Sequence, residues 1–253
     1  LHSGHYGNWA PNPAIELAQL LAAMKDREGK VLIPDFEKGM APLSELERQA
    51  LAKLPDLDSQ LRQELWLGRS EHPEERLDQA LLHPSLNVNG LASAGVGALA
   101  RNVVPSRATA SVDIRLVKGL DPTVMVDRVA AFVRAQGYHL VEGDQEPSAE
   151  VRTAHPRVAW IRRTGGYRAV RTPMDLPVAK RVIAAVESAH GSMLLVPSLG
   201  GSLPLFAFED VLATPLIIVP IANHDDNQHT HDENLRIQNL WDGIETYAAL
   251  MTM

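Results

Sequence analysis

The sequence predicts an α+β domain followed by part of an α/β domain, and three patterns carry this prediction. Residues 108–117 alternate apolar and polar side chains, which is typical of a strand with one buried face. A helical pattern opens at Asp121-Pro122 and ends at Gly137. Near the C-terminus, the apolar run 216–219 precedes a long amphipathic stripe, as expected for a buried strand and a covering helix.

The first domain is predicted over residues 1–155. Asn12-Pro13 caps a helix that should reach about residue 26. Residues 30–86 are richer in charged helical segments, with a capping box at 44–47, and we interpret them as an insertion. Regular structure resumes near Leu86, and further strands are expected at 108–117, 138–142 and 150–153. Their order with the helices suggests a two-layer α+β domain.

The second domain is predicted over residues 156–253. Its expected elements are helices over about 176–190 and 233–251, strands over 193–196 and 216–219, and a turn at 199–202 before another helix. These are too few for a complete doubly wound sheet. We therefore expect about half of an α/β domain to lie before Leu1, where the chain starts without an initiator methionine or a signal-peptide pattern.

Composition excludes several functions. An apolar content of 45% suits a globular protein with a sizeable core. The net charge of −7 and the absence of a basic tract argue against nucleic-acid binding, and no apolar run is long enough to cross a membrane. The chain has no cysteine, so any zinc site must use His, Asp or Glu. These features do not fix the compartment, and a cytoplasmic location is our expectation.

The segment most suggestive of chemistry is the polar stretch 227–234, which contains His229, His231 and Glu233 and follows the predicted strand. A neutral imidazole binds zinc, and nearby carboxylates orient ligands. The pattern therefore favours a metal-dependent hydrolase. The alternative is a solvated polar loop.

Four motifs occur in a fixed order along the chain. They are LHSGHYG at 1–7, NVVP at 102–105 followed by IRLV at 114–117, GGSLP at 200–204, and HTHDE at 229–233. Together they resemble the two-zinc aminoacylase/carnosine dipeptidase family of metallopeptidases, peptidase family M20, particularly its dipeptidase branch. The resemblance covers nearly the whole chain, including the insertion at 30–86.

This resemblance implies a ferredoxin-like lid or dimerisation domain over 1–155 and the C-terminal part of a zinc-hydrolase catalytic domain over 156–253. It implies two zinc ions for each complete site, with most ligands before Leu1. His229 matches the remaining ligand, while His231 and Glu233 are candidates to support it. His224-Asp225-Asp226 has the letters of a ligand motif but follows the wrong strand.

The resemblance also assigns residues to the substrate. His2 matches the histidine that reaches a dimer partner's active site and stabilises the oxyanion, and a buried structural role is its alternative. Arg115 matches the arginine that binds the substrate carboxylate. Asn102 would hydrogen-bond the substrate, and an ordinary solvated residue is the alternative for both.

Gly200, Gly201 and Ser202 would let backbone N–H groups approach the substrate, whereas a simple turn is the alternative. The residues before these glycines, Ser198-Leu199, depart from the Arg-Glu that is usual in the dipeptidases. The departure removes a substrate-binding cation, which bears on recognition of the substrate's C-terminus.

The predicted function is zinc-dependent hydrolysis of dipeptides or N-acyl amino acids by the complete protein, as a homodimer through the lid. Residues 1–253 alone would be inactive and bind zinc weakly. The alternative is a non-catalytic dimerisation module. A third hypothesis is a mononuclear zinc site made by His224, His229 and His231.

Overall fold

The computed structural model describes residues 1–201 and 203–253, which form two compact units. The first unit comprises Leu1–Ala41 and Asp58–Ala169, and the second comprises Pro42–Leu57 and Val170–Met253. The predicted boundary between the lid and the catalytic portion is residue 155. The first compact unit extends further, to Ala169. Residues 42–57 of the predicted insertion belong with the second unit.

The first unit contains most of the regular structure. Its helices are α1 (Ser3–Tyr6), α2 (Pro13–Met24), α4 (Asp58–Glu64), α5 (Leu77–Ala80), α6 (Pro122–Ala135) and α7 (Ala149–Ala154). Its strands are β1 (Ser85–Ala92), β2 (Thr109–Arg115), β3 (His139–Glu142) and β4 (Val158–Ile161), and a short 3₁₀ turn covers Gly97–Leu99. In the second unit are α3 (Glu45–Ala52), α8 (Pro177–His190), α9 (Phe206–Leu212) and α10 (Ile237–Met251).

The predicted caps form. The Asn12 side chain accepts a hydrogen bond from Ala14 N at 2.9 Å, and that of Asp121 accepts from Thr123 N at 2.8 Å. In the capping box that opens α3, Glu47 accepts from Ser44 N at 2.6 Å and Ser44 Oγ accepts from Glu47 N at 3.2 Å. Because these side chains satisfy amides that lack a helical partner, they set where α2, α3 and α6 begin.

The strands form two ladders. β1 pairs antiparallel with β2, with Ser85 opposite Arg115 and an irregularity between Val88 and Gly90. β3 pairs in parallel with β4, with His139 opposite Val158. The mixed α and β content agrees with the predicted class.

A core of buried apolar side chains holds the first unit together. It is formed by Leu20, Met24, Ile33, Phe36, Leu86, Leu120, Met125, Phe132 and Val133. The residues come from α2, the segment after it, β1, the turn before α6 and α6 itself. The two predicted helices therefore supply the apolar faces that enclose this core.

Three predicted strands are wrong. Residues 150–153 lie in α7, because Ser148 caps that helix through a 3.4 Å hydrogen bond from Val151 N. Within the part of the chain that the structure describes, 193–196 and 216–219 form no strand. Apolar character alone cannot make a strand without a neighbouring strand to pair with, and Ile218 is 49% exposed.

The run 216–219 is extended chain whose backbone groups bond to side chains instead. Thr172 Oγ1 accepts from Leu216 N at 3.1 Å and donates to Leu216 O at 2.5 Å. From α10, Tyr247 Oη donates to Val219 O at 3.3 Å, and Asn239 Nδ2 donates to Ile221 O at 3.0 Å. The following loop is therefore anchored on α10.

Candidate functional site

The first unit brings two predicted site residues together. His2 forms an isolated antiparallel bridge with Val103, and Ser3 N donates to Asn102 O at 3.0 Å. Val104 N donates to Leu1 O at 2.8 Å on the other side of the bridge. The first motif and the second motif are thus adjacent in space although about a hundred residues separate them in sequence. Both His2 and Asn102 are exposed, which removes the buried structural alternative for His2.

The imidazole of His2 is restrained locally. Its Nδ1 atom accepts a hydrogen bond from Gly4 N at 3.1 Å. A neutral imidazole that accepts at Nδ1 carries its proton on Nε2. The exposed ring therefore presents an N–H donor.

Arg115 is the last residue of β2 and is exposed. Its Nε donates to Asp113 Oδ2 at 2.7 Å, and the Asp113 side chain is 28% exposed. This ion pair orients the guanidinium along the strand surface.

The second unit contains the remaining predicted residues. Gly200 and Gly201 are exposed, and a Cβ built at Gly201 would meet no atom within 4 Å among the described residues. Packing among the described residues therefore does not require glycine at position 201. Ser202 lies outside the described residues.

His229, His231 and Glu233 lie on one exposed loop, residues 224–236, and not on the last helix. That helix starts at Ile237, so its predicted start at 233 is wrong. Asn227, His229 and Asp232 have positive φ values of 56°, 66° and 60°. Such conformations cost energy for residues other than glycine, so surrounding contacts must hold this loop.

Asn223 supplies those contacts, and the sequence analysis missed it. This side chain, 6% exposed, donates to Asp225 Oδ1 at 2.8 Å and accepts from Arg236 N at 3.0 Å. Asn234 N donates to Asp226 O at 2.8 Å and closes the loop further. The available signal for this role was the position of Asn223 directly after an apolar run. A side-chain amide that is buried there requires hydrogen-bond partners.

The electrostatics of the loop centre on Asp225. Hydrogen bonds from Asn223 and from Arg236 lower the pKa of Asp225 to about 2. Its carboxylate is therefore ionised and accepts the hydrogen bonds that hold the loop.

Within residues 1–201 and 203–253, no group of three or more His, Asp or Glu side chains is placed to hold a metal ion. The hypothesis of a mononuclear site made by His224, His229 and His231 is therefore wrong. Among the same residues, no helix is both long enough and apolar enough to cross a membrane.

A family model described as a peptidase dimerisation domain matches residues 1–140. The chain belongs to the M20 peptidase dimerisation-domain family. The match spans the first motif, the insertion, the second motif and the core of the first unit.

Curated relatives extend the similarity of this M20 chain to its full length. It is 27% identical over 257 residues to the Cys-Gly metallodipeptidase DUG1 of Saccharomyces cerevisiae, covering 99% of this chain and 50% of that protein. It is 25% identical over 254 residues to the Beta-Ala-His dipeptidase of Rattus norvegicus, covering 98% and 48%. The chain spans about half the length of the curated relatives it matches.

Solved structures share the fold of this M20 chain. The M20 family metallo-carboxypeptidase Sso-CP2 from Sulfolobus solfataricus matches with a TM-score of 0.77 and 21% identity, over 99% of this chain and 54% of that one. Human carnosine dipeptidase 1 matches with a TM-score of 0.67 and 18% identity, over 98% and 50%.

Proposed function

We propose that this chain belongs to a zinc-dependent hydrolase that cleaves the amide bond of dipeptides or N-acyl amino acids. The observation that carries the proposal is the alignment of almost the entire chain with a protein named a metallodipeptidase. In this proposal, residues 1–155 are a ferredoxin-like lid with an insertion at 30–86, and residues 156–253 are part of the catalytic domain. The lid forms a homodimer, as the description of the matching family model suggests.

His2 is the proposed catalytic residue of the lid. Its Nε2–H would donate to the oxygen that gains negative charge when the amide carbonyl is attacked. Two observations support this role: the ring is exposed, and its Nδ1 is already occupied by Gly4 N–H. We place its target in the partner subunit of the dimer.

Asn102 and Arg115 are the proposed substrate-binding residues of the same unit. Asn102 lies next to His2 because the first and second motifs are bridged. Its amide would therefore hydrogen-bond the same substrate. Arg115 would bind the substrate carboxylate through its two-pronged guanidinium, which its contact with Asp113 already orients.

Gly200, Gly201 and Ser202 are the proposed backbone contacts of the second unit. Because the space beside Gly201 is open, a bound substrate would be the group that requires glycine there. Residues 198–199 are Ser-Leu where the dipeptidases usually carry a substrate-binding cation, so Arg115 is the proposed contact for the substrate carboxylate in this chain.

His229 is the proposed metal ligand, supported by His231 and Glu233 from the same loop. An exposed imidazole suits zinc, and no group of three or more donors is brought together within residues 1–201 and 203–253. In this proposal the other ligands lie outside residues 1–253. When bound, zinc would polarise the substrate carbonyl and lower the pKa of a bound water. The chain's own contribution is to hold His229 on a loop clamped by Asn223.

The test of the metal ligand is His229→Ala in the zinc-loaded, full-length gene product. We expect zinc content to fall by about one ion at each site and activity to fall by at least roughly 100-fold, since the metal supplies several kcal/mol to the transition state. His224→Ala, on the same loop, is the matched control and should retain both zinc ions. Unchanged zinc content in the His229 variant would remove this residue from the metal site.

The test of the lid is His2→Ala in the same protein. We expect kcat to fall by about 100-fold, as for loss of one oxyanion donor, with zinc content unchanged. Turnover equal to that of the wild type would refute the catalytic role of His2.

One alternative function has support from the family match. That match describes dimerisation, which is the role of a non-catalytic dimerisation module. Sedimentation, zinc binding and peptide hydrolysis of the full-length gene product would separate the two functions. A dimer without zinc or hydrolysis supports the module, and zinc-dependent hydrolysis rejects it.

A further inference from the structure

The main chain of His2 is fixed on both sides by the second motif. Ser3 N donates to Asn102 O, and Val104 N donates to Leu1 O, at 3.0 and 2.8 Å. The backbone nitrogen of Leu1 also donates to Val104 O at 3.2 Å. The Cα atom of His2 is therefore held in place by hydrogen bonds that are independent of its ring.

The ring of His2 is fixed by the two residues that follow Ser3. Gly4 N donates to Nδ1 at 3.1 Å. The His5 ring lies edge-on, with the two ring centroids 4.7 Å apart and the planes at 62°. Edge-to-face packing is a favoured arrangement of aromatic rings, so His5 restrains the plane of His2.

Gly4 is required by this ring and not by its own backbone. Its φ lies outside the positive range that favours glycine. A Cβ at Gly4 would lie 3.0 Å from His2 Cε1 and 3.2 Å from His2 Nδ1. With a Cβ at position 4, the imidazole would have to shift by a few tenths of an ångström, which disturbs its hydrogen bond from the backbone amide.

We propose that Gly4 and His5 are positioning residues that hold the His2 imidazole, protonated on Nε2, for donation to the substrate oxyanion. This inference rests on the proposed function. It explains why the first motif carries a glycine and a second histidine beside the one that contacts substrate. A donor held before substrate arrives needs no reorganisation during the reaction, which is the condition under which such donors contribute most.

The kinetic test is a double-mutant cycle in the zinc-loaded, full-length gene product. We expect Gly4→Ala to lower kcat about 10-fold and His5→Ala about 3-fold, with KM, zinc content and dimer state unchanged. His5→Phe keeps an aromatic edge and should restore kcat to within about 2-fold. In a His2→Ala background, neither substitution should lower kcat further, because a positioning residue acts only through the residue it positions.

The matched control is Gly68→Ala. A Cβ at Gly68 meets no described atom within 4 Å, and this glycine has no positive φ. Its kcat should equal that of the wild type. If Gly4→Ala lowered kcat equally with and without His2, a general structural defect would be the cause and the proposal would be overturned.

A second readout does not depend on activity. Two-bond ¹H–¹⁵N spectra of histidine-labelled protein, at about pH 8.5 where an ordinary imidazole is neutral, report which ring nitrogen carries the proton. His2 is assigned by the signal lost in His2→Gln. We expect Nε2 alone to be protonated in the wild type and a mixture of tautomers in Gly4→Ala.

The two readouts separate the failure of this inference from that of the proposed function. If His2→Ala retains full kcat while the spectra show the expected tautomers, the catalytic role of His2 fails and the positioning stands. If the wild-type spectrum shows both tautomers, or Gly4→Ala leaves it unchanged, the positioning by Gly4 is refuted.

Discussion

The two units are stabilised in different ways. The first unit has a contiguous apolar core in which Met125 is 1% exposed. The described residues of the second unit bury only three hydrophobic side chains, Ala50, Ala179 and Val186. The buried polar residues, Glu47, Asn223 and Thr246, all lie in the second unit.

Polar contacts therefore carry much of the organisation of the second unit. Glu47 is paired with Arg171 at 3.1 Å, with side-chain exposures of 5% and 12%. Arg171 also donates to Pro42 O at 2.7 Å, and together these contacts attach residues 42–57 to residue 171. His190 Nε2 contacts Thr246 Oγ1 at 2.8 Å between α8 and α10. Apolar packing is tolerant of detail, whereas buried polar groups require each partner.

The largest expected effect is that of Met125→Ala in the first unit. Removing a fully buried side chain leaves a cavity, and we expect the free energy of unfolding to fall by about 4 kcal/mol. Denaturant unfolding measures it, and hydrogen exchange should show the loss in α2, α6 and β1. Val124→Ala, at the neighbouring position that is 44% exposed, should change stability by less than about 0.5 kcal/mol. Equal effects of the two variants would contradict a core at Met125.

The next effect is that of Glu47→Gln in the second unit. Neutralising Glu47 removes the carboxylate that pairs with Arg171 in a buried setting, and we expect a loss of about 3 kcal/mol. The matched control is Glu45→Gln, which removes an ion pair with Arg48 whose side chains are 66% and 56% exposed. That variant should lose less than about 0.5 kcal/mol. If both variants were equally stable, polar contacts would not organise this unit.

A smaller effect is expected for Asn223→Ala. The substitution leaves Arg236 N without its acceptor and releases Asp225, and we expect a loss of about 2 kcal/mol. Hydrogen exchange should accelerate at Gln228, Thr230 and Asn234, whose amides are bonded within the loop. Gln238→Ala, an exposed position on α10, should leave this exchange unchanged. Slow exchange in the Asn223 variant would mean that the loop holds its shape without the clamp.

The smallest expected effect depends on pH. The folded-state pKa of Asp225 is about 2, below its ordinary value of 3.8, because of hydrogen bonds from Asn223 and Arg236. The stabilisation it contributes is therefore fully present above about pH 4 and is lost as the pH falls through about 2. An NMR titration of the Asp225 carboxyl measures the pKa. Asn223→Ala should raise it, and an ordinary value in the wild type would contradict the clamp.

The sequence predicted the elements whose signals are local. The caps at Asn12 and Asp121 and the box at 44–47 lie where they were predicted, because a cap depends on side chains within a few residues. The alternation over 108–117 predicted β2, and Gly191 predicted the end of α8. The membership of the M20 family was predicted from four ordered motifs.

The sequence could not predict features that depend on partners far away in the chain. The apolar run 216–219 has the composition of a buried strand, yet a strand forms only where another strand satisfies its backbone groups. The wrong strand at 150–153 has a different cause. The cap at Ser148 is a local signal for a helix, but the expected order of strands favoured a strand there. The last helix, α10, starts at Ile237 and not at 233. Hydrogen bonds to Asn223 and Asp226 hold the residues before Ile237 in the loop.

The candidate site divides in the same way. Sequence alone determined which residue types stand in which order, and so indicated His2, Asn102, Arg115 and His229 and the chemistry for which they are suited. Only the tertiary structure decided that His2 lies beside Asn102 and that Asn223 clamps the loop of His229. The physical reason is that motifs record local chemistry, whereas the direction of a hydrogen bond depends on where the folded chain brings its partner.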